Sequence, residues 1–210
     1  MVSDRPPAAK IAGVDEVGRG CLFGPVVAAA VVLSPDACLR LQALGVTDSK
    51  RLSAAQRASL VGPIQALATD YALGLATVHD IERLNILHAS LLAMTRALRR
   101  LTTPPDLCLI DGNQPIRNLG LSQQTVVQGD RLHTEIAAAS ILAKVWRDRL
   151  IVRLDRRYPG YHLARNKGYG SAAHRLALQT LGPTPQHRRS FKGCSQGQRT
   201  DNESSLYTSD

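Results

Sequence analysis

Asp15 and Glu16 close a short apolar run, residues 11–14, and are followed almost at once by Gly18-Arg19-Gly20. Successive side chains of a strand point to opposite faces, so such a pair offers one carboxylate to each side of a sheet where the strand gives out. Neighbouring carboxylates in a dry setting repel, and one is driven to protonate unless a cation compensates. A divalent metal is the fitting compensator. The glycines beside Arg19 let a backbone approach a ligand that a Cβ would hold away, which suits the sugar-phosphate chain of a polyanion. A lone Gly-Arg-Gly is also ordinary turn chemistry with solvated rim charges, so its weight depends on the rest of the chain.

Two more aspartates stand in comparable places. Residues 107–110 are wholly apolar, as in a strand covered on both faces, and end at Asp111-Gly112. Residues 125–128 repeat the arrangement before Gly129-Asp130. Asp next to Gly is common in turns, but three acid-terminated strands in one chain point to a metal-binding cluster. Ligands of open α/β sheets sit beyond the carboxyl ends of strands, so Asp111 and Asp130 could converge with Asp15 and Glu16 if the strands are neighbours.

The elements that must position these acids are readable in part. Residues 26–33 form a central strand, and the short link after the Gly-Arg-Gly turn makes it antiparallel to the first. Residues 38–44 form a helical turn, and residues 45–52 a polar loop carrying Lys50 and Arg51. Ser53 and Gln56 form a capping box for a helix that turns Leu60, Ile64 and Leu67 inward, with a kink or break at Gly62-Pro63. A third strand spans 71–78. Asp80 is the expected N-cap of a helix with Leu84, Leu87, Leu91, Met94, Leu98 and Leu101 on its buried face. A later helix starts at Thr134 or a neighbour and buries Ile136, Ala139, Ala143, Trp146, Leu150 and Leu154. Its Lys144, Arg147, Arg149, Arg153, Arg156 and Arg157 are expected on the other faces, solvated or ion-paired, with one or two on phosphate. Residues 161–170 are a glycine-punctuated basic loop with two tyrosines, and Ser171 caps a last helix through Leu181. The whole reads as a mixed sheet with helices on it, an α/β layer fold.

Composition narrows the function. The 210 residues, 44% of them apolar, suit one domain of ordinary size. No apolar run reaches the length of a membrane span, and no secretory signal is evident, so a cytoplasmic address is expected. Cys21, Cys38, Cys108 and Cys194 are scattered, without the spacing of a zinc site or a disulfide framework. His79, His88 and His174 lack ligand spacing and are expected at helix ends or on the surface. Residues 131–192 hold 13 lysines and arginines against three acids, Glu135, Asp148 and Asp155, and so carry the net charge of +9. A basic half facing an acid-lined centre implies a phosphate-bearing partner.

The run Gly13-Val14-Asp15-Glu16-Val17-Gly18-Arg19-Gly20 resembles the signature of the type 2 ribonuclease H, or ribonuclease HII, family. Similar segments follow in family order: Thr47-Asp48-Ser49-Lys50, residues 84–89, Ile110-Asp111-Gly112-Asn113, Gly129-Asp130, residues 136–148, residues 166–171 and His187-Arg188-Arg189-Ser190-Phe191. Cys21 and Trp146 are mild departures. The resemblance implies a ribonuclease H-like mixed sheet flanked by helices, with a small helical C-terminal extension. It covers a catalytic domain (11–191) that follows an N-terminal arm (1–10); residues 192–210, polar and almost without apolar side chains, read from their composition as a disordered tail that the resemblance does not explain.

The activity implied is an endonuclease for the RNA strand of RNA/DNA hybrids. It would also cut 5′ to single ribonucleotides embedded in duplex DNA, as in ribonucleotide excision repair. Catalysis would use two metal ions, Mg²⁺ or Mn²⁺, held by Asp15, Glu16, Asp111 and Asp130, and would leave 5′-phosphate and 3′-hydroxyl ends. Gly18, Arg19 and Gly20 would sense the 2′-hydroxyl, Tyr169 would lie against the adjacent deoxyribose, and Lys50, Ser140 and Lys144 would hold phosphate. Nothing in the sequence demands more than a monomer. Two rivals remain: a DNA-junction nuclease of the same superfamily, which needs neither the Gly-Arg-Gly turn nor Tyr169, and a non-catalytic nucleic-acid-binding module, which leaves the acids unexplained. A dinucleotide-binding enzyme is a weaker reading still, because the run 13–20 lacks Gly-x-Gly-x-x-Gly spacing.

Overall fold

A computed structural model of the chain describes residues 9–194. Most of the expected arm (1–10) and tail (192–210) therefore lies outside the described residues. Among the described residues five strands form one sheet: β1 (Ile11–Val17), β2 (Val26–Leu33), β3 (Asp70–Ala76), β4 (Leu107–Asp111) and β5 (Gln123–Val126). Their spatial order is β3-β2-β1-β4-β5. β1 and β2 pair antiparallel with Asp15 opposite Ala29, and β2 pairs antiparallel with β3. β4 runs parallel to β1 on its other side, with Val14 opposite Ile110. That register sets the ends of β1 and β4 side by side, which is what the acids require.

Helices cover both faces. On one lie α1 (Pro35–Ala43), α2 (Ala54–Leu67) and α5 (Thr134–Asp155), burying Val27, Ala29, Val31 and Leu33 of β2 against Leu41, Ile64 and Ile141. On the other lies α3 (Val78–Leu98), whose Ile81, Ala89, Ala93 and Ala97 meet Ala12, Val14, Ala28 and Ile110. Small residues permit close layers. A Cβ on Gly13 would stand 2.1 Å from the Glu135 carbonyl carbon of α5, so only glycine lets α5 lie this near the acid-bearing end of β1. Two single-turn helices, α4 (Gly129–Leu132) and α6 (Leu163–Asn166), and α7 (Ala172–Leu181) complete the set. α7 and the segment after it build a separate small core with Leu22, Phe23, Ile151, Tyr161 and Leu163, the expected helical extension.

Several local expectations are corrected. Thr77, not Asp80, is the N-cap of α3; Asp80 is the reciprocal partner three residues on, its carboxylate accepting from the Thr77 backbone at 2.9 Å. α2 continues through Pro63 without a break, because the Ser59 carbonyl that loses its partner sits on an exposed turn. The sheet-facing stripe of α3 is alanine-rich, while Leu84, Leu87 and Leu91 are only half-buried. Asn85, at φ 66°, interrupts that helix and shifts its phase. The loop 45–52 contains a single 3₁₀ turn, Ser49–Arg51. β5 ends earlier than expected, at Val126, so Asp130 stands in the first turn of α4 instead of at a strand end.

Candidate active site

Strand geometry persists through Glu16, and the two acids separate as their alternation requires. Asp15 is buried on the α5 side, where it accepts from the Ser140 hydroxyl and, at 2.7 Å, from the Glu16 backbone. Glu16 is on the α3 side and lines a small cleft of about 50 Å³ with Asp111, Asn113, Ser90 and Leu91. Asp111, at the end of β4, accepts from the Gly129 backbone at 2.8 Å, which ties it to the start of α4. Asp130, one residue further, is buried and meets Lys50 Nζ at 3.6 Å.

The electrostatics show that these acids feel one another. Burial pushes Asp15 well above the ordinary carboxylate range, and the charges of Glu16 and Asp111 push it further. Glu16 is raised by burial and by Asp111 against the opposing pull of Arg19, whose Nη1 lies 3.3 Å away. Asp111 is raised by burial and by Asp130. Among the described residues no three acidic, imidazole or thiol groups are arranged so as to hold a metal ion as they stand. What exists is an all-oxygen donor set whose negative charge is only partly offset by Arg19 and Lys50. Hard divalent cations such as Mg²⁺ or Mn²⁺ fit such donors.

The remaining expected substrate contacts fall into two groups. Lys50 is largely exposed beside Asp130. Ser140 is buried, shares a 2.8 Å hydrogen bond with Ser49, and supports Asp15 from behind. Lys144 pairs with Asp148 at 2.9 Å and places its Nζ 5.5 Å from the centre of the half-exposed Tyr169 ring. Tyr169 is bridged to Cys21 across the backbone, so the Gly-Arg-Gly turn and the tyrosine belong to one surface.

What holds that surface was not legible in the sequence. Arg147, expected among solvated cations, is fully buried and donates to the carbonyls of Pro25 (3.0 Å), Phe23 (2.9 Å) and Lys167 (2.9 Å). Arg188 is buried beside it and donates to Arg19 O (2.8 Å) and twice to Gly24 O (3.0 and 2.8 Å). Five carbonyls are thus gathered from below by two guanidinium forks, leaving the turn rigid with its outer edge exposed. The signal that could have found Arg147 is its place with Ser140, Ala143 and Ile151 at three- and four-residue spacing, a stripe rotated from the one expected through Trp146 and Leu150. His174, expected at a helix end or surface, does lie in the first turn of α7 but is fully buried against His187.

The sequence profile of the family described as Ribonuclease HII matches residues 12–194. The chain belongs to the ribonuclease HII family. It is 64% identical over 185 residues to the Ribonuclease HII of Acaryochloris marina, covering 88% of this chain and 93% of that one. A solved structure of the ribonuclease H2 from Pyrococcus horikoshii OT3 superposes with a TM-score of 0.73 at 28% identity, covering 88% of this chain and 95% of that one. A Bst-RNase HIII, solved in complex with Mn²⁺, shares the fold at 19% identity and a TM-score of 0.73, over 92% of this chain and 73% of that one. Ribonuclease HII enzymes are endoribonucleases of the ribonuclease H type, acting on the RNA of RNA/DNA hybrids, and this chain is one of them. Among its described residues no helix is long and apolar enough to cross a membrane.

Proposed function

We propose that this ribonuclease HII, as a monomer, cuts the RNA strand of hybrids and also incises duplex DNA on the 5′ side of a single embedded ribonucleotide, leaving 5′-phosphate and 3′-hydroxyl ends. The observation that carries the reading is the convergence of Asp15, Glu16, Asp111 and Asp130 beside a braced Gly-Arg-Gly turn that is bridged to Tyr169. Asp15, Glu16, Asp111 and Asp130 would hold two Mg²⁺ or Mn²⁺ ions. When bound there, such ions supply Lewis-acid stabilisation of the phosphodiester and a water activated at neutral pH.

The chain's own residues supply position and selection. Ser140 and the Glu16 backbone orient the Asp15 carboxylate, and the Gly129 backbone orients that of Asp111. Gly18, Arg19 and Gly20 present the outer edge of the turn to the ribose, whose 2′-hydroxyl distinguishes RNA from DNA at one position whatever the base. Tyr169 offers a half-exposed ring face to the next sugar, and Lys50 and Lys144 lie within reach of the flanking phosphates. Ser140, although buried, sits behind the site where it would steady Asp15 as the phosphate binds. The basic half of the chain draws the duplex in.

The test compares three duplexes of equal sequence: one with a single ribonucleotide, one with a continuous RNA strand and one all DNA. Cutting of the first two with Mg²⁺, none with chelator and none of the third is expected. Equal cutting of the all-DNA duplex would favour a junction nuclease, and binding without turnover a non-catalytic module.

A further inference from the structure

His174 and His187 form a buried pair that the proposed reaction leaves unused. Their rings are 0% and 1% exposed, and their Nε2 atoms lie 3.0 Å apart. One of the two must donate to the other, and the groups at either end decide which. His187 Nδ1 receives the Thr184 backbone N–H at 3.0 Å, a group that can only donate, so this nitrogen is the acceptor and a neutral ring carries its proton on Nε2. The Thr184 hydroxyl lies 2.9 Å from the same atom. At the other end His174 Nδ1 faces the Tyr169 carbonyl at 2.8 Å, a group that can only accept, so this nitrogen holds the proton and His174 Nε2 is the lone pair. The chain therefore runs one way: Thr184 N–H to His187, His187 Nε2–H to His174, His174 Nδ1–H to the Tyr169 carbonyl.

Both rings are kept neutral by their surroundings. Burial, with His174 adding to it, pushes His187 down to about 4, and burial with His162 lowers His174 against the opposing pull of the Tyr169 carbonyl. The other ionisable neighbours are Tyr161, whose ring centre is 4.8 Å from that of His187, and Arg188, next along the chain. A second proton on His174 would set two N–H donors against each other across the 3.0 Å gap between the Nε2 atoms, and a second proton on His187 would set its Nδ1–H against the Thr184 backbone N–H, also at 3.0 Å.

The pair also spans two parts of the site. His187 is bridged through its backbone to Phe23, and its ring lies edge-on to Phe23 at 4.9 Å. His174 holds the backbone of Tyr169. Resting on the reading of Tyr169 as the residue that meets the deoxyribose, we propose that His174 and His187 are positioning residues, a neutral one-way relay that fixes Tyr169 relative to the Gly-Arg-Gly segment and so sets the preference for a single ribonucleotide over continuous RNA.

The first test is on the unaltered chain. With ¹⁵N-histidine, long-range proton–nitrogen correlation at pH 7 is expected to show His187 protonated on Nε2 and His174 on Nδ1, with a coupling between the two Nε2 nuclei across the hydrogen bond. The reverse tautomers, or a charged ring, would overturn the relay, and this result does not depend on any variant folding. The second test is the ratio of single-turnover cleavage rates on the single-ribonucleotide and continuous-RNA duplexes. His174→Phe is expected to lower that ratio about tenfold, the scale of the buried hydrogen bond to the Tyr169 carbonyl, one of the two that this variant loses. His174→Asn, whose amide can still donate to the Tyr169 carbonyl, is expected to restore most of it. An unchanged ratio in His174→Phe beside a lowered one in Tyr169→Ala overturns the relay and leaves the assignment of Tyr169 standing. If Tyr169→Ala leaves the ratio unchanged too, the assignment of Tyr169 fails, and the relay's part in selection with it.

Discussion

Arg147 lies directly beneath Gly18: a Cβ placed on Gly18, whose φ is +93°, would stand 2.2 Å from Arg147 Nε. The first glycine of the turn is thus required by what supports the turn from inside. Gly20 differs, since a Cβ there would meet nothing within 4 Å. An inward demand acts on one glycine, and only an outward one, the approach of a substrate, can act on the other.

The two alanine variants should therefore part company. Gly18→Ala is expected to lose about 1–3 kcal/mol of stability through backbone strain and displacement of Arg147, and to lose cleavage as well. Gly20→Ala should unfold at the wild-type denaturant midpoint yet cleave poorly. Wild-type cleavage by Gly20→Ala would show that no ligand approaches the turn at that residue.

Removing a guanidinium brace has a different signature. Arg188→Met leaves the Arg19 and Gly24 carbonyls without these donors, and Arg147→Met does the same for Phe23, Pro25 and Lys167. Buried carbonyls stripped of charged donors cost about 1–3 kcal/mol each site. Lysine cannot reproduce the fork, so Arg147→Lys should recover only part of the loss in a urea titration. A neutral outcome in both Met variants would mean that the turn holds itself.

Acidification should act through the histidine pair. His187 titrates near 4 in the fold against an ordinary 6.5, so between these values the unfolded chain binds a proton that the fold refuses. Its contribution is intact above pH 6.5 and is lost as pH falls toward 4, with His174 acting in the same direction. One proton over that window amounts to about 3 kcal/mol, of which about 2 kcal/mol falls between pH 7 and pH 5. Unfolding free energies at pH 7 and pH 5 should show the loss, and His187→Gln should reduce the slope. A change between pH 7 and pH 5 that is the same in His187→Gln as in the wild type would contradict the assignment, since the other titrating groups act on both alike.

The acid cluster has the opposite sign. Asp15, Glu16 and Asp111 are raised in the fold, so the folded chain holds protons more tightly and the ionised cluster costs more stability as pH rises. Asp15→Asn keeps an oxygen for Ser140 and removes one charge. In chelator at pH 7 it is expected to melt about 2–4 °C higher than the wild type, while the gain in melting temperature on adding Mg²⁺ should shrink. A lower melting point in chelator would mean that the carboxylate of Asp15 is already satisfied by the protein alone.

Much of this site could be read from the chain because its acids follow apolar runs, a local pattern. Asp15, Glu16 and Asp111 lie at the ends of β1 and β4 as their neighbours in sequence require. Asp130 was legible as a member of the set but not in its place, since the αL residue Gln128 turns the chain into α4 before the aspartate is reached. The support beneath the turn was hidden for a physical reason. Arg147 and Arg188 are charged residues in a basic stretch, and solvation is the default for such residues. Their burial depends on backbone carbonyls, four of the five brought from more than a hundred residues away, which no local period encodes. His174 and His187 likewise acquire meaning only once the segment after α7 folds back over Phe23 and Tyr169.

Four converging acids are proposed to make one hydrolytic centre, with recognition carried by other residues. The direct measurement is single-turnover cleavage of a duplex with one ribonucleotide by wild type and Asp15→Asn, beside the dissociation constant of each for the same duplex. A rate loss of about 10³-fold or more is expected with binding changed less than about threefold, since an interaction needed only for the chemical step is removed. Cleavage by Asp15→Asn within about tenfold of wild type at saturating duplex would contradict it.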